Sequence, residues 1–523
     1  MVGEYRADLV IVGGGTGGCA AALAAAALGC TVVMTEETRW IGGQLTTQAV
    51  PPDEHPWIER FGCTAGYRDF RNRVRAYYRR NFPLTAQARS APWLNPGNGS
   101  VSRLCHDPRV ALAVLEEMLA PSVHSGRCTI LRRHRVEAAD TSGDRVEAVT
   151  VRDLEADETL VLSAPYFLDA TECGDLLPLA GAEYVTGSES HGETGEPHAL
   201  PGGPDPLDIQ GFTVCFAVDH REGEDHTIDE PAEYAFWRDH RAAFWPDRQL
   251  SWVTPDPKTL EPVENTLFPE GDRFSLWLYR RIIDASNFEP GSHGGDITLV
   301  NWPQNDYWLG PIYEVEEREA RRHLEMAKQL SLSLLFWLQT EAPRPGGGRG
   351  YPGLRLRRDV TGTRDGLAMA PYVRESRRIR AVFTVVEQHV AAAGDGDAAP
   401  ARFPDTVGVG SYRIDLHPST GGRNYIDLPS RPFEIPLGSL IPIRVENLLP
   451  ACKNIGVTHI TNGCFRLHPV EWSIGEAAGS LAAHCIREGV APRQVGSGTR
   501  LSAFQDLLSR RGVELSWPDL HPL

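Results

Sequence analysis

No apolar run in this 523-residue chain approaches the ~18–20 residues that a membrane span needs. Paired cysteines are missing too. The ten cysteines are scattered at 19, 30, 63, 105, 128, 173, 215, 452, 464 and 485, and no two have CxxC or CxxxxC spacing. A zinc ribbon and a dithiol redox centre are thereby excluded, and the thiols read as reduced, structural residues of a cytoplasmic protein. No HxH or HExxH pair occurs, so no metal is expected, and no GxSxG elbow supports a serine hydrolase. Positive charge is in deficit. Lys plus Arg is 52 against 69 Asp plus Glu, a net charge of −17, which argues against nucleic acid or an anionic membrane as partner. The opening MVGEYRADLVIVGGG lacks the basic stretch, apolar run and small-residue site of a signal peptide. There is no 20–50-residue repeat. The length fits two to four domains, or one large interrupted one.

What is present begins at once. Asp8 to Val12 (DLVIV) reads as a buried parallel strand, and Thr31 to Thr35 (TVVMT) as a second, ending at Glu36. Between them lie Gly13-x-Gly15-x-x-Gly18, with Thr16 inside it, and the helix-forming CAAALAAAAL. The first glycine permits a tight turn, the second lets a pyrophosphate approach the backbone, and the third lets the helix pack on the sheet. The helix N-terminus offers free N–H groups to the diphosphate, and Glu36 lies where a carboxylate accepts from ribose hydroxyls. An acid there disfavours a 2′-phosphate. A second match, Gly348-x-Gly350-x-x-Gly353, follows a helix and a Pro-rich loop and leads into no helix, so it reads as fortuitous.

Past Glu36 comes Gly42-Gly43-Gln44-Leu45-Thr46-Thr47, a loop able to lie close to a long cofactor. The opening unit with this loop resembles FAD-dependent oxidoreductases of the glutathione-reductase structural type. YFLDATECGD (166–175) is similar to that superfamily's second flavin-contacting element. NGCFRLHPVEWSIGEAAG (462–479) is similar to its C-terminal helix, and PYVRESRRI (371–379) adds likeness to a broad bacterial family of FAD-dependent oxidoreductases. The resemblance implies FAD as cofactor. It implies that Gly42, Gly43, Gln44 and Thr46 lie along it, that Val136 offers backbone to the adenine and that Ala170 lies nearby. A helix carrying Ser473 and Ile474 would point its N-terminus at the flavin pyrimidine edge, stabilising charge on reduced flavin.

The expected fold class is α/β: a Rossmann-type FAD-binding domain, parallel sheet plus β-meander, with an inserted mixed α+β substrate domain. The FAD domain is expected to be discontinuous, 1–190 plus 440–495, with a substrate domain at 191–435 and a C-terminal extension at 496–523. The meander is read over Cys128 to Leu162, turning at 141–144. A helix from Pro108 to about Leu119 is capped by Asp107, and a long one spans Glu314 to Thr340. Gly394 to Pro400 reads as a linker. Arg374, Arg377, Arg378 and Arg380 show helical spacing.

A flavin carries the redox step, and the protein supplies positioning and proton transfer. His459 and His468 flank the expected flavin segment, and either imidazole suits a general base at neutral pH. Arg466, between them, would orient a substrate or balance reduced flavin, unless it pairs with Glu471 or Glu476. Asp415-Leu416-His417 and Arg423-Asn424-Tyr425 are further polar candidates. Six of twelve tryptophans lie between 237 and 308 and either line a substrate pocket or pack a core. One credible dinucleotide fingerprint favours a dehydrogenase or oxidase of a small organic molecule (alcohol, sugar, amine or hydroxy acid). An NAD(P)H-driven flavin monooxygenase and a non-catalytic FAD-binding electron carrier are the alternatives.

Overall fold

A computed structural model describes residues 3–392 and 399–518. The chain opens with β1 (Gly3–Arg6) and β2 (Leu9–Val12). The four residues of β2, LVIV, are all buried, as are the five of β3 (Val32–Glu36). Strands apolar on both faces belong inside a layered sheet. Between them α1 (Thr16–Ala27) is buried on nearly every side, which its alanines and glycines allow. Next, α2 (Pro108–His124) starts where expected: the Asp107 carboxylate accepts from the Arg109 N–H at 2.8 Å, and Pro108 fills the first helical position. It runs past Leu119 by one further turn and leads into β4 (Cys128–Arg132). Three antiparallel strands follow, β5 (His134–Ser142), β6 (Arg145–Asp153) and β7 (Thr159–Ser163), then β8 (Tyr166–Asp169). The meander therefore starts at His134. Cys128–Arg132 pairs parallel with β3 along its whole length, because the chain leaving α2 must first return to the sheet edge. β1 joins the meander's far side, parallel to β7.

The middle of the chain builds an antiparallel sheet. It comprises β9 (Phe216–His220), the hairpin-flanked β12 (Arg281–Ile283) and β13 (Ile297–Val300), and β14 (Leu354–Leu356), in the order β12-β13-β9-β14. The hairpin β10 (Val253–Pro255) and β11 (Pro262–Glu264) stands apart from it. Helix α3 (Glu317–Thr340) buries Ala327, Leu330, Leu334 and Leu338 in one apolar core with Trp237, Trp252, Trp277 and Trp302. Trp245 and Trp308 pack with Tyr425 in a smaller cluster. Most of these tryptophans are thus core. The arginine-rich run 374–380 forms no helix. It is extended, bridging at Tyr372 to Thr213 and pairing as Arg378–Ile379 with Tyr184–Val185, since Pro371 and the burial of three arginines favour cross-strand partners. The second glycine motif lies in a loop, where a Cβ on Gly353 would stand 2.3 Å from the Arg221 carbonyl oxygen. Most of the linker read at 394–400 lies outside the described residues. A small antiparallel pair, β15 (Ile414–Leu416) with β16 (Ile426–Leu428), precedes the return.

The chain then comes back to the first sheet. β17 (Leu448–Pro450) pairs parallel with β8 and completes the order β17-β8-β2-β3-β4, all parallel. After α4 (His459–Phe465), α5 (His468–Glu488) packs on α1. Contact is backbone to backbone. A Cβ on Gly475 would lie 2.1 Å from the Gly17 carbonyl oxygen, and one on Gly479 would lie 2.4 Å from that of Ala21. These glycines bring the N-terminus of α5 down to the mouth of the parallel sheet, beside that of α1.

Candidate active site

The first cavity, about 190 Å3, opens at the carboxyl ends of β2, β3 and β8. That is the crevice where open α/β sheets bind ligands. Gly13 turns there with φ +101°, and a Cβ on it would lie 2.4 Å from the Ala170 carbonyl. Gly15 is the residue before α1, and no side chain caps the helix, so its first N–H groups remain free. The Gly42-Gly43 loop docks directly on this turn: Gly42 N donates to the Gly14 oxygen at 2.7 Å, and Thr16 Oγ1 donates to the Gly42 oxygen at 2.9 Å. Glu36 accepts from Gly14 N at 3.2 Å and from Thr38 N at 2.8 Å. Burial pushes its carboxyl up to about 7, against the two contacts from Thr38. Val136 and Ala170 line the same cavity.

One carboxylate stands in the cradle itself. The Glu172 Oε1 lies 2.6 Å from where a Cβ on Gly43 would be, and 3.1 Å from that of Gly15. It is paired with the fully buried Lys453, which also lies 3.6 Å from Glu471. Burial alone would lower the Lys453 ammonium, but Glu172 and Glu471 more than reverse this and keep it charged. Gln44 Nε2 donates to Glu471 at 2.6 Å and to the Arg466 carbonyl at 3.0 Å, tying the glycine loop to the start of α5.

A second cavity of about 500 Å3 lies between the hairpin β10–β11, the strand ends of the middle sheet and β15–β16. Its chemistry centres on His417, just past β15. Asp306, with no exposed surface, accepts from His417 Nδ1 at 2.6 Å, while Arg374 and Thr213 hold its other oxygen. Burial would raise the Asp306 carboxyl, yet Arg374 and His417 hold it below the ordinary range. With Nδ1 facing Asp306, Nε2 is the ring nitrogen left toward the cavity. Asp415, 3.6 Å from that nitrogen, is gripped by Arg466 at 3.1 Å. Despite burial, His417 and Arg466 keep it well below the usual carboxylate range.

The two cavities share a wall. In the extended segment 370–374, Ala370, Pro371 and Val373 line the first cavity and Arg374 lines the second. Tyr372 lies within the wall, and its hydroxyl accepts from Arg466 at 3.1 Å. Arg280 of the second cavity meets Asp53 at 3.4 Å, and the Asp53 N–H donates to His468 Nδ1 at 3.1 Å.

This arrangement suits FAD: a glycine turn, a free helix end, an acid at the second strand and a following loop, with a polar chamber across one strand of wall. The chain matches the family described as FAD dependent oxidoreductase over residues 8–508. It belongs to that family. Its cofactor is FAD and it is an FAD-dependent oxidoreductase. No curated protein matches the chain. Among solved structures it is similar to L-proline dehydrogenase from P. horikoshii, at 17% identity, over 37% of this chain and 26% of that one, TM-score 0.19. It is similar to the myxobacterial chondrochloren halogenase CndH, at 18% identity, over 41% of this chain and 43% of that one, TM-score 0.22. The glycerol-3-phosphate dehydrogenase from Bacillus halodurans complexed with FAD gives 16% identity, over 41% of this chain and 40% of that one, TM-score 0.24. The chain thus spans less than half the length of each, and scores this low carry no argument. Among the described residues, no helix of the oxidoreductase is long and apolar enough to cross a membrane, and no group of three or more His, Cys, Asp or Glu could hold a metal ion.

The expected site residues take up different places. Gly13, Gly15, Glu36, Gly43, Val136 and Ala170 line the first cavity. Thr16, Gly18 and Gly42 shape its floor, a Cβ on Gly18 falling 2.1 Å from the Gly13 oxygen. Gln44 and Thr46 brace the loop from behind, Thr46 Oγ1 donating to the Ile41 oxygen at 2.6 Å. Ser473 and Ile474 are buried in α5 a turn or more beyond its N-terminus and line neither cavity, Ser473 Oγ donating to the Pro469 oxygen. His459 lines neither cavity. Its Nδ1 is 2.9 Å from Glu375, itself held near 2 by His459 and Arg378 against the effect of burial. His468 is fully buried at the start of α5, and burial holds it well below its ordinary range. It is therefore neutral. As Nδ1 accepts from the Asp53 N–H, Nε2 is the nitrogen left to donate. Arg466 pairs with Asp415 and Tyr372 rather than Glu471 or Glu476, because the helix turn at Leu467 sends its side chain away from α5. Glu172, Lys453, Asp306, Arg280 and Tyr372 were not singled out from sequence. A lysine in a chain with only three, at 258, 328 and 453, was the one local signal.

Proposed function

We propose that this oxidoreductase is a dehydrogenase or oxidase that takes hydride from a carbon bearing a hydroxyl or amine, with the substrate held in the 500 Å3 cavity. The observation that carries this reading is the shared wall at 370–374, with an Asp306–His417 pair on the substrate side and the glycine cradle on the other. Bound FAD supplies the acceptor for the hydride. His417 Nε2 takes the hydroxyl or amine proton, and Asp306 orients the ring and stabilises the imidazolium that results. Asp306 is itself fixed by Arg374 and Thr213, so the dyad is oriented before substrate arrives. Arg466 holds Asp415, whose carboxylate lies 3.6 Å from His417 Nε2, so the second acid beside the ring is itself paired. His468, neutral and protonated on Nε2, serves as a hydrogen-bond donor at the N-terminus of α5 rather than as a base. Gly13, Gly15 and the start of α1 would hold the diphosphate, Glu36 the ribose and Val136 the adenine. The residues that feed the parallel sheet support a discontinuous FAD domain, 1–190 plus 440–495, around a substrate domain at 191–435. Ten free thiols support a reducing, cytoplasmic setting.

Anaerobic visible spectroscopy tests this. Organic hydroxyl or amine donors should bleach the bound flavin, with no bleaching by NADH or NADPH. Bleaching by a nicotinamide alone would replace the reading with a monooxygenase. An FAD-loaded protein that no organic donor and no nicotinamide reduces would leave the electron-carrier reading in its place.

A further inference from the structure

Resting on the reading just given, the geometry points to a neutral, polyhydroxylated ring compound, a mono- or disaccharide or cyclic polyol, as the substrate class of the second cavity. The argument starts from charge. Three arginines line this cavity, and each already faces a carboxylate: Arg280 meets Asp53 at 3.4 Å, Arg374 meets Asp306 at 2.9 Å, and Arg413 is bound by Asp427. No guanidinium in the wall is left to neutralise a substrate carboxylate or phosphate. The lining acids are committed as well. Asp415 is held by Arg466, Glu264 faces Arg273 at 3.4 Å, and Asp256 accepts from the backbone N–H groups of Lys258 and Thr259. An anion would add charge to a wall with four acids and three arginines, and an ammonium would have to compete with the groups that already hold those acids. Bringing either out of water without a partner is costly.

The rest of the wall favours hydroxyls on a ring. Aromatic rings of Tyr279, Trp302, Tyr412 and Tyr425 give flat apolar surfaces on which C–H faces can lie. Between them, Asn301 Nδ2 and the Tyr425 hydroxyl are buried and without a partner, while Asn301 Oδ1 is occupied by Arg374 at 3.3 Å. Such spare hydrogen-bonding capacity suits a ligand that both donates and accepts at many points. The volume, about 500 Å3, falls within the ~300–1000 Å3 of small-molecule sites. His417 Nε2 in this wall would take the proton of one ring hydroxyl as hydride leaves the same carbon. The hydroxyl carbon is oxidised to a carbonyl, and two electrons and one proton pass to the FAD.

The test uses the FAD-loaded protein under anaerobic conditions, with calorimetry and flavin bleaching read in parallel. The probes are a panel of neutral mono- and disaccharides and myo-inositol, against glucuronate, lactate and simple alkylamines. At least one neutral ring polyol should both bind and bleach, and a sugar acid of matching ring should do each at least ~10-fold less well, the loss expected for one unpaired charge. In D427N, which releases Arg413 from its partner, that gap should narrow by ~10-fold or reverse. If lactate or an amine bleaches while no neutral sugar binds, the substrate class is wrong and the dehydrogenase reading survives. If nicotinamides alone bleach, the dehydrogenase reading itself falls. Absence of binding by every neutral polyol, or an unchanged preference in D427N, overturns the inference.

Discussion

Replacing Glu172 by glutamine should tighten FAD binding, because its carboxylate stands where the glycine turn receives a diphosphate. Its Oε1 sits 3.1 Å from the position of a Gly15 Cβ and 2.6 Å from that of Gly43. Two unit charges of like sign ~5 Å apart at an effective dielectric of ~20 repel by ~3 kcal/mol. The side chain is 24% exposed and can swing outward instead, at the cost of its pair with Lys453. The smaller of these two costs governs binding, and a partly exposed charge pair is discounted to roughly 1–2 kcal/mol. E172Q should therefore bind FAD about 5- to 30-fold more tightly, since each 1.4 kcal/mol is about tenfold. Lys453 would keep Glu471 as its partner and gain freedom to face the diphosphate. The assay is titration of the apoprotein with FAD, followed by the change in flavin fluorescence, at two ionic strengths. The same variant should melt at a lower temperature without FAD, having lost a buried contact, and show a wider gap between apo and loaded forms. Unchanged or weaker binding would refute the reasoning and make Glu172 part of the holding site instead of a competitor for it.

Glu36 gives a pH signature. Its carboxyl is pushed up to about 7 by burial, and the carboxylate accepts from ribose hydroxyls more strongly than the neutral acid, so FAD affinity should fall as pH drops through about 7 and recover above it. E36Q should weaken binding at pH 8 and flatten that dependence, measured by the same titration. H417N should retain FAD yet slow anaerobic flavin reduction by ~100- to 10,000-fold, the range for loss of a general base, and D306N should follow it with partial loss; equal rates in stopped-flow would remove His417 from the chemistry. G475A sets a Cβ 2.1 Å from the Gly17 oxygen, so α5 and α1 must part; a destabilisation of ~3 kcal/mol is expected by denaturant titration, where G203A, at an open position without positive φ, serves as the control for an added methyl alone.

The cofactor half was legible because its signals are local. The alternation of apolar run, glycine turn, alanine helix and Glu36 falls within thirty residues, and each feature acts on its neighbours in the chain. Val136 and Ala170 came from resemblance, not periodicity. The second cavity was far less legible, since its contacts join distant segments: Asp306 to His417 and Asp53 to Arg280. His459 and His468 were attractive on the chain because they flank α5's start, yet proximity in sequence gave one a Glu375 partner and the other a dry pocket. Helical spacing of Arg374, Arg377, Arg378 and Arg380 misled for a related reason. The first three answer carboxylates instead: Arg374 meets Asp306, Arg377 meets Asp175 and Glu314, and Arg378 meets Glu189 and, within the same run, Glu375.

The segment 370–374, at the start of that run, lies between the two cavities. In an extended strand successive side chains face opposite ways. Pro371 and Val373 can therefore line the cradle while Tyr372 meets Arg466 and Arg374 reaches Asp306. A helix in the same place would send residues three and four apart to one face and could not serve both chambers so closely. The Ala370 N–H is also anchored to the Thr47 oxygen at 3.2 Å, and the Tyr372 N–H to the Thr213 oxygen at 2.7 Å. The wall is thus pinned on one side to the loop that follows the dinucleotide turn and on the other to Thr213, which pairs with Asp306. Y372F should separate the two roles of this segment. It keeps the backbone pins and the ring, but takes the hydroxyl from Arg466, leaving a buried guanidinium with Asp415 alone. A loss of flavin reduction by substrate with FAD affinity intact would mean that Arg466 positions Asp415 and His417. A loss of FAD affinity instead would mean that the wall serves the cofactor first.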